Sequence, residues 1–216
     1  MTEPDFLTAT RAGYDDAAVP YAELVGARFP ENPLDNAMIP VFARMVRAAG
    51  GGRVADVGCG PGHVTAYLRS LDVTAFGVDL SPEMIALARA AHPGLRFEVG
   101  RMQALEVEDA SLAGILANYS IIHTPPERLP GTFAEFRRAL APGGLLLLAF
   151  QGYDHPTGTA EAFDHRVCLA YRYSPDRVAG LLSGAGFTEV ARLVVAPGED
   201  PVRGFPQAHL LARRGD

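Results

Sequence analysis

Residues 54–63 read Val-Ala-Asp-Val-Gly-Cys-Gly-Pro-Gly-His, and Asp79 stands 17 residues beyond Gly62. Glycines let a backbone take positive φ and come close to a ligand. Where such a turn leads from a strand into a helix, the helix N-terminus offers unpaired N–H groups and a partial positive charge to a carboxylate or phosphate. An acid closing the next strand can accept hydrogen bonds from both hydroxyls of a ribose. Loop and acid together imply a cofactor that contains a nucleoside. The pattern differs from the dinucleotide loop G-x-G-x-x-G. Here the order is G-x-G-x-G over Gly58, Gly60 and Gly62, and His63 takes the place of the third packing glycine. Asp56 lies inside the turn, where it repels a pyrophosphate and can pair with an ammonium group. A cofactor with both an amino group and a carboxylate fits better, and S-adenosylmethionine is such a molecule. The plain alternative is a glycine turn without a ligand, against which the well-placed acid weighs.

A second constellation is Asn118-Tyr119-Ser120-Ile121-Ile122-His123. Histidine titrates near neutral pH, so His123 is the best candidate for a general base. Its alternative role is a hydrogen bond to a loop carbonyl. Tyr119 supplies either a positioning hydroxyl or a packed aromatic ring. Methyl transfer suits such a site: it is an in-line displacement at an activated carbon, so the protein chiefly aligns the acceptor and excludes water. A base helps when the acceptor is a hydroxyl or a protonated amine.

These residues need strands and helices to hold them. Apolar residues between Leu34 and Ala49 repeat at helical spacing, and Gly50-Gly51-Gly52 ends that helix. Strands are predicted at RVADVG, Val73–Asp79, Leu95–Val99, Leu112–Asn118 and Leu145–Phe150. Helices are predicted at His63–Ser70, from Pro82 through Ala91 with Ser81 as N-cap, and over Pro126–Leu140. Residues 5–29 read as one or two short helices and residues 151–174 as irregular chain. A helix follows Ser174 and Pro175, and Thr188–Ala196 with Gln207–Arg213 forms an antiparallel pair. Alternating strands and helices imply an α/β fold with a mainly parallel sheet. The all-apolar run LLLLAF suits a strand buried on both faces.

The segments VADVGCGPGHVT, FGVDLSPEMIALAR and RRALAPGGLLLLAF resemble the class I S-adenosylmethionine-dependent methyltransferases, in their small single-domain branch. The resemblance implies a three-layer, Rossmann-like, seven-stranded sheet, mostly parallel with an antiparallel last strand. It implies that Asp56, Gly58 and Gly60 hold the methionyl end, with Cys59 and His63 in the same loop. Asp79 takes the ribose, and Leu80 and Met84 lie beside the adenine. The family's acid after the third strand is missing, and the Met102 backbone and the Gln103 side chain replace it. Asn118 gives a backbone contact near the methyl donor, with Tyr119 and Ser120 alongside. Tyr14 closes over the cofactor carboxylate, with Tyr21 seven residues on along the same face. The acceptor pocket is expected from residues 5–30 and 151–174, which hold Phe6, Tyr14, Tyr21, Phe29, Gln151, Tyr153, Phe163, Tyr171, Arg172 and Tyr173. Arg172 either neutralises an acidic substrate or pairs with a local acid. Residues 1–33 then form a helical lid, 34–150 the cofactor-binding core, 151–174 a substrate-facing insertion and 175–216 a helix with a strand pair.

Composition narrows the function further. The net charge is −6 and all 19 basic residues are arginine, so Schiff-base lysine chemistry is excluded and nucleic acid is not an expected partner. Two cysteines, Cys59 and Cys168, without metal-type spacing predict neither a disulfide framework nor a zinc site. The ends of the fourth and fifth strands lack the acids that would hold Mg²⁺. Asp154, His155, Asp164 and His165 match no metal-ligand spacing and read as solvated loop residues, so no metal is expected. The polar start and strand-length apolar runs predict a cytoplasmic, monomeric or homodimeric protein with no membrane span. The expected function is methyl transfer to an oxygen or nitrogen of a small molecule, with specialised metabolism as the expected setting. Cyclisation or decarboxylation on the same cofactor, and a non-catalytic nucleoside-binding role, are the alternatives.

Overall fold

A computed structural model describes residues 5–29, 33–153, 158, 160–199 and 204–216. The N-terminal segment forms α1 (Asp5–Asp16) and α2 (Ala18–Arg28), then a single turn α3 (Pro33–Asn36) and α4 (Met38–Ala48). The helix expected from Leu34 is thus broken at Ala37, and Asn36 turns back to donate from Nδ2 to the Phe29 carbonyl at 2.5 Å.

The core alternates β1 (Arg53–Val57), α5 (His63–Ser70), β2 (Thr74–Asp79), α6 (Pro82–Ala91), β3 (Phe97–Val99), β4 (Leu112–Asn118), α7 (Leu129–Ala139) and β5 (Leu140–Gln151). β5 starts five residues earlier than the apolar run suggests. Its register against β4 shifts between Leu112 and Gly114, which absorbs the Pro-Gly-Gly segment into the strand. Residues 126–128 form a separate 3₁₀ turn ahead of α7.

Residues 151–174 are not irregular throughout. β6 (Ala160–Asp164) and β7 (Leu169–Tyr173) form an antiparallel hairpin outside the main sheet. The chain ends with α8 (Pro175–Gly184), β8 (Phe187–Val195) and β9 (Gln207–Arg214). The seven-stranded sheet runs β3-β2-β1-β4-β5-β9-β8, and β9 lies antiparallel to both neighbours. The predicted sheet is therefore the observed one.

Both faces of the sheet are covered. Leu146, Leu148 and Phe150 pack with Phe133, Phe136 and Val178 on one side. Leu145 and Leu147 pack with Phe42, Val46 and Leu68 on the other. Alternate residues of LLLLAF thus serve two cores, which is why the strand is apolar at every position. Reversal of strand order about β1 and β4 opens a crevice at their carboxyl ends. Among the described residues no helix is long and apolar enough to cross a membrane.

Candidate active site

The crevice is a cleft of about 90 Å³, below the roughly 300–1,000 Å³ usual for small-molecule sites. Four elements build it: the glycine loop after β1, the acid ending β2, the turn after β3 and the segment after β4.

The loop is pinned first. Gly58 and Cys59 both donate their N–H groups to the Val78 carbonyl, at 2.7 and 3.1 Å, which ties the turn to β2. Gly58 has φ 72°, and a Cβ there would stand 2.2 Å from Ser120 Cβ. Only glycine fits that approach between the loop and the segment after β4. Gly60 has φ 51° and donates its N–H to Asp79 Oδ2 at 2.8 Å. The other oxygen, Asp79 Oδ1, accepts from Ser81 N–H at 2.9 Å. Asp79 thus holds the glycine loop and the start of α6 together, with its second lone pairs left for a ligand. Ser81 caps α6 by accepting from Met84 N–H at 3.1 Å.

Asp56 lies beneath the loop and is completely buried. Thr65 Oγ1 donates to its Oδ2 at 2.6 Å, and Oδ1 has no partner. Burial raises its pKa to about 7, the Thr65 hydrogen bond opposes that, and the charge of Asp79 adds to it. Burial also raises Asp79 against its backbone hydrogen bonds. Neither carboxylate has an ion-pair partner among the described residues. Two unpaired carboxylates side by side repel a pyrophosphate and favour a cationic ligand.

Beyond β3, Met102 and Gln103 line the cleft, and Gln103 Oε1 is a buried acceptor without a partner. Asn118, Tyr119 and Ser120 line it after β4. Tyr119 takes φ 55°, costly for a bulky residue, and its hydroxyl donates to Asp35 Oδ1 at 3.0 Å. His123 Nε2 faces the Tyr14 hydroxyl at 2.9 Å, and Nδ1 faces the Leu169 carbonyl at 2.9 Å. Burial lowers the His123 pKa to about 4, partly offset by the Leu169 hydrogen bond and reinforced by His165. The ring thus bonds the Leu169 carbonyl at the start of β7 and borders the cleft.

α1 crosses the cleft. Its Asp15 accepts from the Ser81 hydroxyl, and Arg11 Nε donates to the Leu80 carbonyl at 3.3 Å. Phe6, Leu7, Thr10, Tyr14 and Tyr21 line the cleft from this side.

Most of the residues predicted from sequence converge here: Tyr14, Tyr21, Gly58, Gly60, Asp79, Leu80, Met102, Gln103, Asn118, Tyr119, Ser120 and His123 all line the cleft. Others do not. Met84 is fully buried in α6, and Cys59 belongs to a cluster with Ile85, Ala88 and Phe97. His63 packs against Phe29 and His92. Tyr14 lines the cleft, and its hydroxyl is hydrogen-bonded to His123 and Tyr21. Gln151 is buried at the end of β5, opposite Gln207. Tyr153 packs over Gly158, and Tyr171 stacks at a tilt near Tyr173. Arg172 resolves to the local pairing: it bridges Glu161 at 3.0 Å and sits 4.4 and 4.1 Å from the Phe163 and Phe205 ring centres. Asp154 and His155 lie outside the described residues. Sequence reasoning missed Thr65, Asp15, Leu7, Thr10 and Leu169. Thr65 had a signal, since the first turn of α5 must face back over the loop.

Fold, loop and acids are like those of the class I S-adenosylmethionine-dependent methyltransferases. Residues 54–144 match the family described as a methyltransferase domain. The chain is 34% identical over 154 residues to trans-aconitate 2-methyltransferase of Streptomyces avermitilis, covering 66% of this chain and 49% of that one. It is 31% identical over 105 residues to malonyl-[acyl-carrier protein] O-methyltransferase of Pectobacterium atrosepticum, covering 49% and 41%. The chain thus spans less than half the length of these curated relatives. Over the whole chain the fold matches the Burkholderia thailandensis 1,6-didemethyltoxoflavin-N1-methyltransferase, solved with its substrate and S-adenosylhomocysteine. The TM-score is 0.76, at 22% identity and 92% coverage of that chain.

Proposed function

We propose that the protein binds S-adenosylmethionine across the ends of β1, β2 and β3, and transfers its methyl group to an oxygen or nitrogen of a small molecule. The observation that carries this reading is the set of buried acceptors without donors. Gln103 Oε1 belongs to a residue that lines the cleft with Asp79, Asp56 Oδ1 is buried beneath the glycine loop, and each is unpartnered. A buried acceptor without a donor costs about 1–3 kcal/mol, so a ligand bearing donors at both places removes the cost. An amino-acid ammonium group suits Asp56 and an adenine amino group suits Gln103. Asp79 suits ribose hydroxyls.

When bound, the cofactor supplies a methyl group already activated by its sulfonium. The chain supplies position and exclusion of water. The strained Tyr119, tied to Asp35, fixes the segment after β4 against Gly58. α1, held by Asp15 and Arg11, covers the reacting end with Phe6, Leu7 and Tyr14.

Incubation with methyl-labelled cofactor and a small-molecule extract of the source organism tests the reading. S-adenosylhomocysteine should form while the label moves into a small molecule. A compound transformed with the label still on the cofactor would establish non-methylating chemistry instead. Label in protein or nucleic acid would contradict the small-molecule assignment.

A further inference from the structure

We propose that Tyr14 and His123 form a proton relay, and that the acceptor is accordingly a neutral O–H or N–H group and not a carboxylate. The proposal rests on the methyl-transfer reading above and deepens it.

The hydrogen-bond pattern sets the direction of the relay. The Leu169 carbonyl, 2.9 Å from His123 Nδ1, can only accept, so Nδ1 carries the proton. Nε2 then presents a lone pair, and the Tyr14 hydroxyl, 2.9 Å away, donates to it. Cys168 Sγ also lies 3.2 Å from Nδ1, with Thr10 Oγ1 3.8 Å from the sulfur as an acceptor for its thiol proton. The His165 ring closes the far side with centroids 5.2 Å apart. A phenol has one proton, and here it is committed to Nε2. It has none to give a cofactor carboxylate. Tyr14 also shares a side-chain hydrogen bond with Tyr21, and its remaining oxygen lone pair is what can accept a proton from an acceptor molecule in the cleft. Both ring nitrogens of His123 are taken, Nδ1 by Leu169 and Nε2 by Tyr14, so its imidazole meets the acceptor through Tyr14.

The acceptor class follows from what lines the reacting end. Tyr14, Asn118, Tyr119, Ser120 and Thr124 carry no cation, and the cation in the cleft lining, Arg101, stands with Gly100 and Met102 after β3. Asp79 places an acid in the same lining, and Asp56 is buried beneath the loop. A carboxylate acceptor would have no proton for the relay to take. A neutral hydroxyl or ring N–H supplies that proton.

The step balances in charge. The acceptor's lone pair forms the new bond to the methyl carbon, and the carbon–sulfur pair returns to sulfur. The acceptor's proton passes to the Tyr14 oxygen as Tyr14's own proton passes to His123 Nε2. One positive charge leaves sulfur and one arrives on the imidazole, so the charge of the cleft is unchanged. Burial disfavours the imidazolium, so His123 gives the proton to solvent once the product departs, and the relay resets.

Nitrogen-15 NMR of the ligand-free protein reads the tautomer directly. We expect His123 protonated on Nδ1 and bare on Nε2 from pH 6 to 9, and an Nε2–H tautomer would overturn the relay. Calorimetry with S-adenosylhomocysteine provides the second reading. Tyr14→Phe should shift the Kd by less than about threefold, whereas a tenfold loss would place the phenol on the cofactor and overturn the relay. If the wild-type protein itself fails to bind S-adenosylhomocysteine, the cofactor reading has failed, and the NMR result still decides the relay. Trans-aconitate serves as the carboxylate probe. No methyl ester should form, and an ester formed equally by wild type and Tyr14→Phe would overturn the acceptor class.

Discussion

Replacing Asp56 by asparagine should stabilise the ligand-free protein at pH 8 while weakening the cofactor site. Asp56 is fully buried, and its pKa is raised from 3.8 to about 7. A carboxyl with a raised folded pKa binds its proton more tightly in the folded state. The associated stability is fully present below about pH 3.8 and is lost as pH rises to about 7. At about 1.4 kcal/mol per tenfold change in proton affinity, the ionised group costs the folded state about 4 kcal/mol above pH 7, and about 1–2 kcal/mol at pH 5. Asparagine removes this cost and keeps an oxygen to accept the Thr65 hydrogen bond. Its amide replaces the unpartnered Oδ1 and is itself unpaired, at about 1–3 kcal/mol. The net gain is then about 1–3 kcal/mol at pH 8 and close to zero, or a small loss, at pH 5. Urea unfolding of both proteins at the two pH values measures this, and calorimetry with S-adenosylhomocysteine should show at least tenfold weaker binding by Asp56→Asn. A variant less stable than wild type at pH 8 would refute the reasoning about the buried charge. Undiminished affinity would refute the pairing of Asp56 with the cofactor's ammonium group.

Three further substitutions probe the frame around the site. Gly58→Ala should lose at least about 2–4 kcal/mol of stability in urea unfolding, because its Cβ would sit 2.2 Å from Ser120 Cβ at φ 72°; wild-type stability would contradict the close approach. Ser81→Ala removes the α6 cap and the Asp15 contact together, and should cost about 1–2 kcal/mol. Hydrogen exchange should speed up in residues 5–16, and unchanged exchange there would show that α1 is held by other contacts. Arg172→Ala should cost about 1–2 kcal/mol through the lost stacking between Phe163 and Phe205, with S-adenosylhomocysteine affinity unchanged; a large change in affinity would return Arg172 to the ligand site.

What the sequence revealed and what it concealed separate along physical lines. The glycine loop, Asp79 and the Ser81 cap were legible because each is a local device: positive φ, a strand-end acid, an N-cap. The core strands were legible because burial on both faces makes them apolar throughout. The hairpin of residues 160–173 was not, since its half-exposed strands carry Glu, Asp, Arg and Tyr and leave no apolar run. The break at Ala37 was hidden because apolar spacing continues across it, while the side chain of Asn36 turns the chain. The roles of Tyr14 and His123 were least legible. Their hydrogen bond joins residues 109 apart, and the one that fixes the tautomer joins residues 46 apart. Both residues stood out as candidates by chemical type. Only the packing of α1 and of the hairpin onto the segment after β4 shows that they act on each other.

The central claim is that two unpaired carboxylates and a G-x-G-x-G loop select a sulfonium amino-acid nucleoside over a dinucleotide. Calorimetric titration of the wild-type protein with S-adenosylmethionine, and separately with NADH, tests it most directly. Saturable one-to-one binding of S-adenosylmethionine with no detectable NADH binding is the predicted result. Binding of NADH, or the absence of any S-adenosylmethionine binding, would contradict it.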